Sequence, residues 1–306
     1  MGIAPRHLAL VGPTGSGKSA LALELARRRN DIELVSVDSM QVYRGMDIGT
    51  AKPSAAETAE VAHHLLDVVD PGEDFSVSRF QAAARSALAA IEGRGHRALL
   101  VGGTGLYLRA VIDDLQLPGR YPDARALADA EPDTAVLHRR LTVMDPAAAA
   151  RIDPTNRRRV VRALEVTVGS GRPFSSFGPG LDSYPVSPIA QVGLRLPAGV
   201  LDRRIDDRVE AMVAAGFVDE VRRLARRPGG MSVTARHALG YREMLAHLQG
   251  EWSLGEAVAA TQLRTRQFAR RQLRWFRRDP RIVWSDAGDN ALAGAADLLG
   301  DWALCS

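Results

Sequence analysis

The chain has 306 residues, which is enough for one large domain or two smaller ones. Hydrophobic residues make up 46% of it and charged residues 25%, as in ordinary globular proteins. No apolar run approaches about 18 residues and no signal-peptide pattern opens the chain, so the sequence predicts neither a membrane partner nor secretion. The single cysteine, Cys305, excludes an internal disulfide framework, and we expect a cytoplasmic protein.

A glycine-rich segment near the N-terminus matches the phosphate-loop pattern G-x-x-x-x-G-K-[ST]. It follows a predicted strand at 7–11 and precedes a predicted helix at 19–26, which is the context that this motif requires. Its backbone N–H groups and the positive end of the helix are expected to surround phosphate oxygens. Lys18 would place an ammonium on the phosphate, and the Ser19 hydroxyl would reach a Mg²⁺ ion. The predicted phosphate-binding residues are Gly12, Pro13, Thr14, Gly15, Ser16, Gly17, Lys18 and Ser19.

Lysine is almost absent from the rest of the chain. Lys18 and Lys52 are the two lysines among 40 basic Lys and Arg residues, so arginine supplies the positive charge elsewhere. An arginine carries a wide planar group, whereas a lysine carries a compact point charge. A lysine kept in the loop therefore indicates a positive charge needed in a narrow space.

Beyond the loop the sequence predicts an open α/β sheet. A strand at 32–39 ends near Asp38, and because parallel sheets place their chemistry at the carboxyl ends of strands, Asp38 is expected to face the phosphate loop. A later strand begins at Ala98 and ends in Gly-Gly-Thr, not in the Mg²⁺-binding aspartate of many phosphate-loop kinases and motor ATPases. Between them we predict a loop at 44–53, a short strand at 65–71 and a helix at 76–94.

The composition changes at about Pro118. Nine prolines fall within 118–190 and separate short helical segments rich in Ala and Arg. The predicted helices of this region are 123–130, 134–143, 146–151 and 155–169. We therefore predict a helical insertion domain at 118–190, placed within a P-loop core domain formed by 1–117 and 191–306.

A strand pattern returns at 190–196 and is followed mainly by helices. These helices are predicted at 202–215, in a segment ending at Arg227, at 235–248, at 261–278 and at a helical end over 288–306. The whole pattern predicts an α/β fold, in which a P-loop NTPase-like parallel sheet core is flanked by helices and carries the helical insertion domain.

Arginine is concentrated in two places. Residues 264–278 hold seven arginines, three aromatic residues and no acid, and residues 157–162 hold four more arginines. A basic run alone is usually a solvated helix face. Basic residues interleaved with aromatic ones, in a chain with a second basic cluster, are more typical of a nucleic-acid-binding surface.

Several motifs together resemble the signatures of the tRNA dimethylallyltransferases, also called tRNA isopentenyltransferases. The longer ones are the phosphate loop at 12–19, VDSMQVY at 37–43, GMDIGTAKP at 45–53 and VGGTGLY at 101–107. Shorter matches are HLLD at 64–67, GYR at 240–242 and RQLRWF at 271–276. The resemblance spans nearly the whole chain, and the block 38–53 is highly specific.

The resemblance implies transfer of a dimethylallyl group from dimethylallyl diphosphate to N6 of adenosine 37, beside the anticodon of tRNA. Diphosphate leaves while positive charge develops on C1, so the loop, Lys18 and a Mg²⁺ ion near Ser19 would neutralise a leaving group instead of activating ATP. Arg208 would add a second cationic clamp, Asp38 would act as the general base, and Thr104 would form a hydrogen bond near the same centre. A monomer would suffice for this reaction.

A base stacked in an anticodon loop cannot reach a buried diphosphate, so the resemblance also implies that the adenosine is flipped into a channel. The residues implied at the mouth of this channel are Asp38, Ser39, Met40 and Gln41, and Thr104 is implied to bind the tRNA as well. The residues implied to bind the anticodon stem-loop are Arg125, Arg158, Arg159, Val160, Val161, Arg162, Arg236, Arg242, Arg270, Arg271, Arg274 and Arg277. Phosphate contacts of this kind give register, while stacking and base edges are what read a single-stranded loop.

Three other functions stay open at the level of sequence. A P-loop kinase explains Lys18 and Ser19 but not the basic surfaces. A non-catalytic RNA-binding NTPase explains the basic helix but gives Asp38 no role. An adenylate prenyltransferase acting on a free nucleotide shares the prenyl chemistry, although the helical insertion and the basic helix favour a large RNA acceptor.

Overall fold

The computed structural model describes residues 6–286, and within them six parallel strands form one sheet. The strands are β1 (His7–Val11), β2 (Ile32–Val37), β3 (His63–His64), β4 (Arg97–Gly102), β5 (Ile189–Arg195) and β6 (Ile282–Asp286). Their order across the sheet is β3-β2-β4-β1-β5-β6, and each neighbouring pair runs parallel. The predicted α/β fold with a parallel sheet core is confirmed. The predicted helical end at 288–306 lies outside the described residues.

The described chain divides into two compact units. The first runs to Asp113 and resumes at Val186, and the second is Asp114–Pro185. The first holds the sheet and the helices α1 (Lys18–Arg27), α2 (Ala55–Glu60), α3 (Val77–Gly93), α4 (Gly105–Ile112), α9 (Ala198–Ala214), α10 (Phe217–Ala225), α11 (Val233–Arg236), α12 (Tyr241–Leu248) and α13 (Leu254–Phe276). The second holds α5 (Pro122–Asp129), α6 (Thr134–Met144), α7 (Pro146–Arg151), α8 (Arg157–Ser170) and a short 3₁₀ helix at Phe174–Phe177.

Apolar side chains cover both faces of the sheet in the first unit. Strands β1, β2 and β4 are almost entirely buried and consist mainly of Val, Leu, Ile and Ala, as expected for a parallel sheet that helices cover on both sides. On one face Leu8 and Leu10 pack in a core cluster with Leu21 of α1. On the other face, the larger cluster includes Phe80 and Tyr107. The sheet is thus a rigid support for the loops at its carboxyl edge.

The second unit has a small core of its own. Leu137 and Leu141 of α6 and Leu164 of α8 are almost completely buried in it. The N-cap side chains of Asp133 and Asp145 accept hydrogen bonds from N–H groups in the first turns of α6 and α7. Such caps fix where each short helix begins, because the first N–H groups of a helix have no partner within it.

Several element boundaries differ from the sequence predictions. The strand predicted at 65–71 is the two-residue strand β3 at 63–64, and the chain then turns through Leu65 and Asp67, whose φ angles are 65° and 54°. The basic helix α13 begins at Leu254 rather than at 261, because Ser253 and Glu256 form a capping box there. The helix predicted at 235–248 is interrupted and becomes α11 and α12, with Gly240 at φ 84° before α12. The predictions did not include α2, α4 or β6. No helix within 6–286 is long and apolar enough to cross a bilayer.

Candidate active site

The phosphate loop lies between β1 and α1, as its motif predicts. Gly17 precedes α1 with φ 89°, a left-handed conformation that side chains rarely adopt, and as N-cap it supplies no side-chain hydrogen bond. The first N–H groups of α1 therefore have no side-chain cap and stay available to an anion. Within the loop Gly12, Pro13 and Ser16 are buried, Thr14, Gly15 and Lys18 are half-buried, and Gly17 and Ser19 are exposed.

The register of the sheet brings three loops together at its carboxyl edge. Gly102 of β4 is the register partner of both Val11 and Val37, the last residues of β1 and β2. The segments that follow these strands are the phosphate loop, the turn that begins at Asp38 and the turn that carries Thr104. The hydroxyl of Thr104 accepts a hydrogen bond from the Ser39 N–H at 3.2 Å. Asp38, Thr104 and the phosphate loop therefore belong to one site.

Two cationic side chains share this site. The ammonium of Lys18 donates a hydrogen bond to the carbonyl oxygen of Pro13 at 3.2 Å. Burial and the positive charge of Arg208 lower the pKa of Lys18 to about 8, although Asp38 opposes the shift. Burial also lowers the pKa of Arg208, again against the attraction of Asp38. Two enclosed cations beside one carboxylate disfavour each other's charge, so the site is electrostatically suited to an anion with more than one charge.

The carboxylate of Asp38 is oriented by its own turn. Its Oδ1 atom accepts hydrogen bonds from the N–H groups of Met40 at 2.8 Å and of Gln41 at 3.4 Å. Among the described residues, Oδ2 has no hydrogen-bond partner. One oxygen is thus fixed by the backbone while the other can accept a proton, which is the geometry that a general base requires.

Gln41 supports the loop that follows Asp38. Its Oε1 atom accepts a hydrogen bond from the Ser36 hydroxyl at 2.7 Å, and its Nε2 atom donates to the carbonyl oxygens of Thr50 and Ala51, both at 3.2 Å. The side-chain amide is therefore already engaged within the protein. This placement gives Gln41 a role in shaping the loop and leaves little of the amide for reading an RNA base.

The side chains of Lys52 and Glu220 also form hydrogen bonds to the loop that follows Asp38. The side chain of Lys52 is 4% exposed, and its ammonium donates to the carbonyl oxygen of Tyr43 at 2.8 Å and to Asp47 and Asp67, each at 2.6 Å. The carboxylate of Glu220, in α10, accepts N–H hydrogen bonds from residues 47, 48 and 49 at 2.9, 2.7 and 3.1 Å. Three acceptors surround the ammonium of Lys52, and a compact point charge fits among them better than a wide planar guanidinium. This explains why position 52, like position 18, holds lysine and not arginine.

An open cleft of about 650 Å³ adjoins Arg208. Ile48, Ala51, Leu66 and Met212 supply apolar wall, and Lys52 lies at the same surface. Arg208 therefore contributes both to the electrostatics of the phosphate loop and to a partly apolar depression beside it. The cleft thus combines apolar side chains with charged ones, and its lining includes Arg208 but neither Asp38 nor the phosphate loop.

Gln272 of α13 was not predicted as a site residue. The residue is 7% exposed. Its Nε2 atom donates to the carbonyl oxygen of Gly103, and its Oε1 atom accepts from the Thr14 N–H, both at 2.9 Å. It lies in the motif at 271–276, so the resemblance marked the segment without indicating a contact to the phosphate loop. A hydrogen bond across 258 positions of sequence gives no local signal in the residue pattern.

The arginines of the first unit differ in their surroundings. Arg270 forms an ion pair with Asp202 at 2.7 Å, and Arg264 and Arg266 pair with Glu243 and Asp206. These three guanidinium groups thus have intramolecular partners. The predicted RNA-binding residues that are exposed and form no ion pair within 6–286 are Arg236, Arg242, Arg271, Arg274 and Arg277.

The predicted RNA-binding residues of the second unit also divide into two groups. Arg158 and Arg159 are exposed and make no ion pair within the described residues. The other four are engaged in the unit itself: Arg125 pairs with Asp129, Arg162 pairs with Glu165 and bonds to the Pro118 carbonyl oxygen, and Val160 and Val161 are buried in the core. The side chains of Val160 and Val161 are therefore core residues and present no surface to RNA.

A magnesium site made of protein carboxylates is not evident in 6–286, where no group of three or more His, Cys, Asp or Glu residues could hold a metal ion. The donor set at the loop suits Mg²⁺ differently. Ser19 places an exposed hydroxyl in the first turn of α1, beside the loop. Mg²⁺ commonly keeps several waters and binds through few protein oxygens together with phosphate oxygens, and Ser19 fits that pattern.

Comparisons with known families and sequences identify what the whole chain is similar to. The profile of the IPP transferase family matches residues 41–279, and that of the isopentenyl transferase family matches residues 5–69. The chain is 45% identical to a tRNA dimethylallyltransferase of Desulforudis audaxviator, with 98% of each chain covered. It is 49% identical to one of Kineococcus radiotolerans, with 93% of this chain and 92% of that one covered.

Solved structures give the same result. The tRNA isopentenylpyrophosphate transferase of Bacillus halodurans has a TM-score of 0.70 at 38% identity, with 98% of this chain and 97% of that one covered. A eukaryotic dimethylallyltransferase acting on tRNA has a TM-score of 0.79 at 26% identity, with 97% of this chain and 79% of that one covered. The resemblance found in the motifs is confirmed: the chain belongs to the IPP transferase family, a family of prenyltransferase enzymes whose relatives matched here are tRNA dimethylallyltransferases.

Proposed function

We propose that the protein transfers a dimethylallyl group from dimethylallyl diphosphate to N6 of adenosine 37 in tRNA. The C1–O bond to diphosphate breaks, the C1–N6 bond forms, and a proton leaves N6. The observation that carries this proposal is the enclosed pair Lys18 and Arg208 beside Asp38, at the uncapped start of α1. Within a family of prenyltransferases, that arrangement supplies both a binding site for the leaving group and a base.

The cations act on the leaving group. Diphosphate gains negative charge as the C1–O bond breaks, so fixed positive groups stabilise the transition state more than the ground state. Lys18 and the N–H groups at the start of α1 bind one side of the diphosphate in this proposal, and Arg208 binds the other. A Mg²⁺ ion held by Ser19 would add positive charge at the phosphate oxygens. The apolar wall next to Arg208 suits the hydrocarbon part of the substrate.

Asp38 acts on the nucleophile. The lone pair of an exocyclic adenine amine is delocalised into the ring, so the amine becomes reactive only as its proton leaves. The Oδ2 atom of Asp38 accepts that proton while Oδ1 stays bound to the Met40 N–H. Thr104 accepts a hydrogen bond from the Ser39 N–H in the same turn, and in this proposal its hydroxyl orients the amine.

The exposed arginines favour an RNA acceptor. Arg271, Arg274 and Arg277 in the first unit, and Arg158 and Arg159 in the second, have no ion-pair partner within 6–286. Unpaired surface arginines can neutralise phosphates and give a salt-dependent, sequence-independent part of the affinity. A P-loop kinase or an adenylate prenyltransferase would need no such surfaces.

One assay distinguishes the candidate functions. The purified protein is incubated with Mg²⁺, labelled dimethylallyl diphosphate and, separately, tRNA, AMP or ATP. We expect label on tRNA and none on AMP or ATP, and digestion of the tRNA should place it on the adenosine beside the anticodon. Label on AMP alone would favour the free-nucleotide alternative. Phosphate transfer from ATP without prenylation would favour a kinase.

A further inference from the structure

The side chain of Gln272 connects two loops. In the proposed reaction, one of these loops binds the prenyl diphosphate and the other faces the acceptor amine. Thr14 belongs to the phosphate loop, and Gly103 directly precedes Thr104 in the turn after β4. Gln272 bonds to the backbone of both, at 2.9 Å in each case, and is buried. The strands β1 and β4 fix where the two loops start, and the backbones of Gly103 and Gly12 also lie close together. Gln272 adds a direct side-chain link from Thr14 to the turn that carries Thr104.

The chemistry of this bridge is specific to an amide. The Thr14 N–H needs an acceptor and the Gly103 carbonyl oxygen needs a donor, so a single side chain must present both. A carboxylate would satisfy Thr14 but would oppose the Gly103 oxygen, and a hydrocarbon would leave both buried groups unpaired. Gly103 is also required by the close approach, because a Cβ atom there would lie 2.2 Å from Nε2 of Gln272.

The helix that carries Gln272 reaches the site at a second point. One turn further on, Trp275 packs against Gly105 so closely that a Cβ atom on that glycine would lie 2.1 Å from the indole ring. Gln272 and Trp275 are three residues apart and share one face of α13, as helix geometry dictates. Arg271 and Arg274, also three residues apart, are both exposed. One rigid helix thus carries exposed arginines and the inward contacts of the site.

We propose that Gln272 is a positioning residue that sets the separation between the diphosphate-binding loop and the turn that carries Thr104. The inference rests on the proposed function, in which the first loop holds C1 through its diphosphate and the turn faces the acceptor amine. Gln272 acts through Thr14 and Gly103 and touches neither substrate. A reaction between two bound groups is sensitive to such spacing, and a misplacement of about 1 Å can cost about 10²-fold in rate.

The first test replaces the amide by a side chain of similar length without hydrogen bonds. For Gln272→Met we expect kcat to fall by about 10- to 100-fold, because the two loops are no longer held in register. The dissociation constants for dimethylallyl diphosphate and for tRNA, measured separately, should each stay within about threefold, because each loop keeps its own ligand groups. Gln249→Met, at an exposed glutamine after α12, is the matched control and should retain wild-type kcat.

The second test introduces a carboxyl group whose protonation restores the hydrogen-bond donor to Gly103. In Gln272→Glu the ionised carboxylate opposes the Gly103 oxygen, but the protonated acid can donate to it while still accepting from Thr14. The ratio of variant to wild-type kcat should therefore rise as the pH is lowered through the titration of the introduced carboxyl. Lys18 and Arg208 are common to both proteins, so their effect on the pH dependence largely cancels in the ratio. Gln249→Glu should give a ratio that does not change with pH.

These outcomes decide the proposal. Gln272 would be assigned to stability alone by two results together. In Gln272→Met, kcat and both affinities would fall in parallel with a lower thermal midpoint, and in Gln272→Glu the ratio of variant to wild-type kcat would not depend on pH. If Gln272→Met fails to fold by circular dichroism, the pH dependence of Gln272→Glu decides alone. If the wild type modified a free nucleotide instead of tRNA, the same ratios measured with that acceptor would still test Gln272, while the acceptor assignment would fail separately.

Discussion

At the scale of single residues, Asp38 has the most sharply defined environment. Asp38→Asn keeps an oxygen for the Met40 N–H, and therefore the turn, but removes the proton acceptor. We expect the rate of a single turnover to fall by about 10²- to 10⁴-fold, as is typical for loss of a general base. Binding of tRNA, measured by filter retention, should stay close to the wild-type value. Near-normal turnover in this variant would remove Asp38 from proton transfer.

The lowered pKa of Lys18 predicts how diphosphate binding depends on pH. Below a pH of about 8 the ammonium is charged in the free protein and binds the anion at no protonation cost. Above it the free side chain is neutral and must regain a proton on binding, so the affinity should fall by about tenfold per pH unit until the pKa of the bound state is reached. Titration calorimetry with inorganic diphosphate between pH 6.5 and about 9.5 measures this. In Lys18→Met the affinity should be weaker, and the fall of about tenfold per pH unit that Lys18 causes should be missing from its pH dependence, which keeps the contribution of the ligand's own ionisation. An unchanged slope there would show that another group titrates.

The lowered pKa of Lys18 also makes the free energy of unfolding depend on pH. A lysine whose folded-state pKa lies below its unfolded value of 10.5 disfavours the folded state once it must be charged. Its contribution is therefore most favourable at high pH and is lost as the pH falls from about 10.5 to about 8. A bound diphosphate favours the ammonium form of Lys18, so it opposes this loss of stability at lower pH.

At the scale of one element, the exposed arginines of α13 predict how tRNA binding depends on salt concentration. Arg271 and Arg274 are exposed without ion-pair partners in 6–286, so Arg271→Gln/Arg274→Gln should weaken tRNA binding without altering diphosphate binding. For each RNA phosphate that the variant no longer neutralises, the dependence of log K on log[salt] should flatten by about 0.7 to 0.9. The matched control is Arg223→Gln/Arg226→Gln in and after α10, also exposed. A wild-type slope in the α13 variant would exclude these arginines from RNA binding.

The elements also show what the residue pattern could and could not predict. The phosphate loop and Asp38 were predictable because a motif and a strand end are local features of sequence. The start of α13 was missed since its capping box, Ser253 and Glu256, lies before the arginine-rich part on which the prediction rested. The bonds from Glu220 to residues 47–49 and from Gln272 to Thr14 join segments 171 to 258 positions apart, and only the tertiary structure creates them.

At the scale of the whole molecule, each of the two units is expected to carry part of the RNA affinity. In the second unit, Arg162 and Arg125 pair with acids, so replacing them would change stability as well as charge. Arg158→Gln/Arg159→Gln avoids this difficulty and should weaken tRNA binding, with a flatter salt dependence and an unchanged thermal midpoint. Arg139→Gln/Arg140→Gln, exposed on α6 in the same unit, is the control of equal charge. Equal affinities in both variants would limit RNA binding to the first unit.

The scarcity of lysine makes this protein selectively addressable by chemistry. Lys52 is enclosed by two carboxylates and a carbonyl oxygen, so its nitrogen is shielded from electrophiles. Lys18 has a pKa of about 8 and so presents a neutral, nucleophilic amine in a substantial fraction of molecules at mildly alkaline pH. We therefore expect acylating reagents and aldehydes that are small enough to enter the site to modify Lys18 in preference to Lys52, and a bound diphosphate to block the reaction by holding the ammonium form. The sequence thus carries one reactive internal lysine, and this residue lies in the phosphate loop.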